Sequence, residues 1–226
     1  MMEEYFSQLG RCGLLDGIPR EAYLQVLSFL QAVRRDYRKD SVILNMGDQH
    51  PLSGVVLRGT LEISLLDEPG GQINVNHVPE GRSFGMAMAC AGGCCPIRLR
   101  AVTDCTLLFF RYSALLEPQG ELSLYEARVS ANLLRQLADQ TVFLNRRLRI
   151  LGQKRLRDKI RLYLQDRKQG PDGTISVPFT RSEWAEFLAA DRSALSRELG
   201  KLAEEGILQY DRHGVKILKQ AFLKNE

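Results

Sequence analysis

The sequence is sparing with several kinds of residue: among its 226 residues there are one tryptophan, three histidines and five cysteines. No run approaches the roughly 20 consecutive apolar residues that cross a bilayer, so no membrane partner is expected. Residues 1–10 are short of apolar side chains, which argues against a signal peptide and makes the cytoplasm the expected location. The cysteines, Cys12, Cys90, Cys94, Cys95 and Cys105, are odd in number and lack a secretory context, which excludes a disulfide framework. No Ser-His-Asp set, phosphate loop or paired-carboxylate motif stands out. An enzyme is therefore not expected.

What is present is enough apolar material, 44%, to fill more than one core, and a length that favours two domains. A formal charge of +4 is only a weak pull towards an anionic partner. Its distribution says more: RRLRILGQKRLRDKIRLYLQDRK, residues 146–168, is densely basic. Such a run reads either as a solvated helix face or as an anion-binding one.

Residues 1–35 read as short helices, with Leu24, Leu27, Phe29 and Leu30 after Pro19. From about Asp36 the segments SVILNMG, SGVVLRGTLEISLLD, INVNHVPEG and RLRAVTDCTLLFFR are short, β-branched or aromatic, and punctuated by Gly, Pro, Asp and Asn. That pattern predicts a compact β-barrel or sandwich ending near Phe110. Past Pro118 a helical period takes over. Ala127, Ser130, Leu134, Leu137, Thr141, Leu144, Leu148 and Leu151 recur at spacings of three and four, a seam of about three and a half heptads. A seam this narrow fits a coiled-coil homodimer better than packing on a globular core. Ser130 and Thr141 interrupt it, as residues that set register or touch a ligand do. Gly152 is the expected break.

A second amphipathic helix is predicted over 155–165, then a GPDG turn and a short strand, TISVPF. Thr180 and Glu183 in TRSE form a capping box that opens a helix running through Trp184 to Leu188. The turn Ala189-Ala190-Asp191 follows, with Asp191 placed to cap the next helix. ILQYDRHGVKIL then folds back around His213 and Gly214 as a hairpin wing. On the second of these helices Leu195, Leu199 and Leu202 share one face, and Ser193, Ser196, Arg197 and Gly200 lie opposite. One face is anchored and the other is free to read DNA. Arg197 supplies the fork that pairs with guanine O6 and N7.

The run TRSEWAEFLAADRSALSRELGKLAEEGIL resembles the helix-turn-helix of the CRP/FNR family of bacterial transcription regulators. Gly47-Asp48, Leu57-Arg58-Gly59 and Glu80-Gly81-Arg82-Ser83-Phe84-Gly85 resemble the glycine-bounded turns of a cyclic-nucleotide-binding fold. The order of parts matches over nearly the whole chain. The resemblance implies an α+β protein: a β-roll sensor over 1–118, a dimerisation helix over 119–152 and a winged helix-turn-helix over 153–226. It implies a palindromic double-stranded DNA target, and RNA polymerase as a partner if the protein activates transcription. DNA contacts are expected from Thr180, Arg192, Ser193, Ser196 and Arg197. Relatives place a Glu near the start of the reading helix, where this chain has Ser193.

The same resemblance argues against a cyclic nucleotide. The family's ribose-binding Glu is replaced by Met86, and its phosphate-binding Arg-Ser pair by Cys95-Pro96, just before Arg100-Ala101. Each lost contact is worth roughly 1.5–3 kcal/mol. Arg98 or Arg100 are the candidates to replace the missing arginine. A four-thiolate cluster is not expected, since only Cys12 precedes residue 90, and the haem-ligating Cys and His of one relative fall on Gly85 and Ala87. No cofactor or metal is therefore predicted, and His77 reads as a strand surface residue. What remains is an unknown small-molecule effector in a pocket near Gly85, Met86, Met88, Cys94, Cys95, Arg98, Arg100 and Thr141, or thiol sensing by Cys94-Cys95. The plain alternative is small, buried, inert cysteines.

Overall fold

The computed structural model describes residues 2–49, 52–66, 72–117, 120–211 and 214–224. Pro118 and His213, used in the sequence reading, lie outside these. The chain divides into two compact units, Met1–Gln140 and Thr141–Glu226. The division falls inside the long helix.

In the first unit α1 (Phe6–Arg11) and α2 (Tyr23–Phe29) precede the strands β1 (Val33–Tyr37), β2 (Val42–Leu44), β3 (Ser53–Arg58), β4 (Thr60–Leu66), β5 (Gln72–Pro79) and β6 (Ser83–Phe84). Then come α3 (Met86–Ala91), β7 (Arg98–Ala101), β8 (Cys105–Phe110) and α4 (Ser113–Leu116). Two four-stranded sheets result, β1-β8-β3-β6 and β2-β7-β4-β5, with every pairing antiparallel. Both put apolar residues inside: Val56, Leu61, Phe84, Leu99, Ala101, Leu107 and Phe109 belong to one buried cluster. β1 starts ahead of the expected boundary near Asp36. Its Arg34, Arg35 and Asp36 hide the alternation because β1 is an edge strand with mostly exposed side chains.

The long helix α5 (Leu124–Leu151) opens on a reciprocal pair, the Ser123 N–H donating to Glu126 Oε2 at 2.7 Å and the Glu126 N–H to Ser123 Oγ at 3.4 Å. It ends at the predicted Gly152, whose N–H still bonds to Leu148 O at 2.9 Å. In the first unit Val129, Asn132 and Leu133 are buried. The Asn132 amide donates to Leu14 O at 3.0 Å and Asp16 O at 2.8 Å, tying the N-terminal segment to the helix.

The second unit holds the end of α5 and then α6 (Leu156–Gln165), β9 (Thr174–Ser176), α7 (Arg181–Phe187), α8 (Arg192–Glu204), β10 (Leu208–Tyr210), β11 (Gly214–Ile217) and α9 (Ala221–Lys224). Its three strands form an antiparallel sheet in the order β10-β11-β9. Its core gathers Ile150, Ile160, Tyr163, Trp184, Leu188, Leu195, Leu199, Leu202, Leu208 and Val215. At 170–173 the predicted turn is closed by Gly173 N–H to Gly170 O at 3.0 Å.

Candidate functional site

Two helices, a tight turn and a hairpin make up the nucleic-acid-facing candidate. Thr180, with extended backbone, caps α7 through the full capping box. At the other end the Lys159 ammonium donates to Leu188 O at 2.9 Å, satisfying a carbonyl that the helix leaves open. The chain then turns through Ala189, at φ 47°, and the Ala190 N–H returns to Ala185 O at 3.0 Å. Asp191 stands at the N-cap of α8 as predicted, but its side chain makes no capping bond. That end of the helix is held instead by Leu195 N–H to Asp191 O at 2.9 Å.

Leu195, Leu199 and Leu202 are fully buried, whereas Arg192, Ser193, Ser196 and Arg197 are exposed. A row of small residues and two guanidiniums thus stands on a helix whose opposite side is locked. A Cβ on Gly200 would meet nothing within 4 Å, so nothing inside this chain demands glycine there. In the wing, by contrast, a Cβ on Gly214 would come within 2.4 Å of Ile175 O. Glycine is required there by the close approach of β9 and not by a positive φ.

Much of the basic run is spent inside the unit. Arg157 Nε donates to Glu198 Oε1 at 2.8 Å, and its two terminal nitrogens to the Glu205 carboxylate at 2.9 and 2.6 Å. Arg147 lies 5.2 Å over the Phe187 ring and Arg167 4.7 Å over Tyr163. Arg181 is held between Trp184, at 5.6 Å, and Tyr210, at 4.9 Å, and burial lowers its affinity for the proton. Sequence reasoning missed Arg157 and Arg181. Nothing local marks Arg157, whose partners lie on α8 and at its C-cap, whereas Arg181 has one local partner, Trp184 on the same helix, and one distant one, Tyr210.

The candidate effector residues of the first unit fall into separate places. Gly85, at φ 73°, caps α3, and a Cβ there would meet Leu52 O at 2.2 Å, so only glycine fits. Met86, Ala89 and Cys90 pack against the cluster containing Tyr112, Val129 and Leu133, while Met88 packs against the roll interior. Cys95 is buried there and its thiol donates to Ile97 O at 3.2 Å. Its neighbour Cys94 is exposed. The vicinal thiols therefore do not share an accessible face. Burial pushes the Cys12 and Cys90 thiols up, which opposes thiolate formation.

Neither arginine of β7 joins Cys95. Arg98 and Arg100 alternate with the buried Leu99 and Ala101, which turns them to the opposite face of the strand. Arg100 is engaged by Glu62 at 3.0 Å and Asp40 at 2.8 Å. His77 is exposed on β5, 3.9 Å from Glu62. Thr141 is exposed on α5 and belongs to the second unit.

Residues 34–117 match the cyclic nucleotide-binding domain, and residues 160–226 match the Crp-like helix-turn-helix domain. The chain belongs to the CRP/FNR family of transcription regulators. It is a DNA-binding regulator of that type carrying a cyclic-nucleotide-binding-type domain. Solved structures share its fold. CLP of Xanthomonas campestris, described as a c-di-GMP responsive global regulator, is 20% identical with a TM-score of 0.56 over 88% of this chain and 100% of that one. FixK2 of Bradyrhizobium japonicum is 21% identical, TM-score 0.53, over 86% and 96%. A protein of Ruegeria pomeroyi described as cyclic nucleotide binding is 19% identical, TM-score 0.53, over 99% and 97%. A search of curated proteins returns no match. Among the described residues, no helix is long and apolar enough to cross a membrane.

Proposed function

We propose that this CRP/FNR-family protein acts as a homodimer on a two-fold-symmetric DNA site, with α8 of each protomer in the major groove. The observation that carries the reading is the two-sidedness of α8: Leu195, Leu199 and Leu202 buried, and Arg192, Ser193, Ser196 and Arg197 exposed. Arg197 reads a base edge, while Thr180 and the wing approach phosphates. The dimer reading is supported by α5, where Leu134 is 68% exposed and Leu148 65%. Leucines this exposed, in register along one helix, are the surface a second copy would cover. On this reading 1–118 senses, 119–152 dimerises and 153–226 binds DNA.

We propose an effector other than a cyclic nucleotide, the alternative being a cyclic-nucleotide-responsive regulator. On the family resemblance Met86 and the buried Cys95 fall at the positions of the ribose acceptor and the phosphate arginine, and Arg100 is already paired with Glu62 and Asp40. An effector acting through α3 and α5 would work by binding more tightly to the DNA-competent arrangement. A second reading, a constitutive DNA binder with a vestigial sensor, draws support from the side chains of Phe84, Cys95 and Leu99 filling the roll interior. Footprinting of the purified protein on selected sites, with and without added metabolites or oxidant, separates the two. Ligand-dependent protection supports the first reading, and unchanged protection the second. Two protected half-sites about one helical turn apart support both, and a single unpaired half-site contradicts both.

A further inference from the structure

The recognition helix and its C-cap together carry as many acids as bases. Arg192, Arg197 and Lys201 are matched by Glu198, Glu204 and the C-cap Glu205. A helix that enters the groove of a polyanion with exposed carboxylates beside its reading residue loses much of its electrostatic attraction. At roughly 100° per residue, Glu198 and Glu205 fall within about 20° of each other and about 80–100° from Arg197. They form an acidic stripe on the flank between the reading face and the buried leucines.

One side chain covers that stripe. Arg157, from α6, reaches Glu198 with Nε at 2.8 Å and grips Glu205 with both terminal nitrogens, at 2.9 and 2.6 Å. The Glu198 side chain is 19% exposed and that of Glu205 45%. Planar two-oxygen pairing of this kind is what a guanidinium does and an ammonium does not.

We infer that Arg157 is a positioning residue for DNA binding: it pairs with the Glu198 and Glu205 carboxylates and holds them back from the DNA, which lowers the negative charge that this flank of α8 presents to the duplex. The inference rests on α8 being the DNA-facing helix, but not on which base Arg197 reads. A strut that only stabilised the fold would show the same bonds, so the test must separate masking from stability.

The probe is a mixed-sequence duplex about 30 base pairs long at about 0.1 M salt, bound by the full chain and followed by fluorescence anisotropy. Arg157→Met is expected to weaken binding about 5–10-fold, since each protomer then presents freed carboxylates to the phosphates. Glu198→Gln in the wild type is expected to change affinity less than about 2-fold, its charge being already masked. In the Arg157→Met background the same change is expected to recover about 3-fold or more. Arg157→Lys, which keeps the charge without the fork, repeats the cycle should the methionine variant fail to fold. Equal effects of Glu198→Gln in both backgrounds would overturn the inference, as would an Arg157→Met protein that binds like wild type. Failure of the α8 reading shows separately: Arg197→Ala would then leave the sequences selected from randomised duplexes unchanged.

Discussion

Thr180 and Glu183 satisfy each other's backbone: the Glu183 N–H donates to Thr180 Oγ1 at 3.3 Å, and the Thr180 N–H donates to the Glu183 carboxylate at 2.7 Å. The pair fixes where α7 begins, three residues from the fully buried side of Trp184. Thr180→Val removes the oxygen and is expected to cost about 1 kcal/mol of stability, seen in chemical denaturation. Affinity for a selected site and for mixed-sequence DNA should fall alike, because a phosphate contact carries no sequence information. A selective loss on the chosen site alone would place Thr180 against a base.

That capping box was legible in four letters of sequence, and so was the two-sided pattern of α8, because helical period and cap chemistry are local. The strands β3, β4, β7 and β8 were legible for the same reason, as short apolar runs between turn residues. What was hidden depended on distant partners. α3 escaped because MAMACA has neither a polar face nor a side-chain cap, only Gly85 in the left-handed region. Arg157 looked like one more cation in a basic run, since its partners lie 41 and 48 residues away. Asp191 was read correctly as an N-cap position, but the side-chain bond expected from its type is not made.

The seam of α5 gives a sharper dimer test than its period alone would. Leu137 packs against the core of the first unit, so charging it would damage folding as well as assembly. Leu144, 46% exposed, and Leu148 are the better positions. Leu144→Asp with Leu148→Asp places like charges in a two-stranded seam and is expected to give folded monomers by sedimentation at micromolar concentration. An unchanged dimer, or a wild-type monomer, would remove this seam from the assembly.

Acid stability should carry the mark of Asp36. The Thr106 hydroxyl donates to its carboxylate at 2.6 Å and, with the nearby Arg34, holds the carboxyl below its usual range. A depressed folded value means the contribution is complete above the ordinary carboxylate range and is lost as pH falls through the lowered one. Thr106→Val should therefore flatten the acid limb of a stability-versus-pH curve while leaving its slope above neutral pH unchanged. An acid limb identical to wild type would show that this bond does not govern the titration.

Isothermal calorimetry with cyclic AMP, cyclic GMP and c-di-GMP is expected to give no heat of binding below millimolar ligand. Replacing a charge-assisted phosphate contact by a buried thiol removes roughly 1.5–3 kcal/mol, and the ribose acceptor is lost as well. Micromolar binding by any of the three would mean that the roll opens and that other groups take up the phosphate.

The reading face of α8 is tested most directly by Arg197→Ala in a selection from randomised duplexes, run beside the wild type. Arg197 is exposed while its neighbours Leu195 and Leu199 are fully buried, so its removal should leave the helix in place. The account predicts a loss of about 1–3 kcal/mol on the wild-type site and relaxed preference at one guanine in each half-site, with salt-dependent affinity for mixed-sequence DNA nearly unchanged. Selected sequences that keep the same base preference in the variant would contradict it.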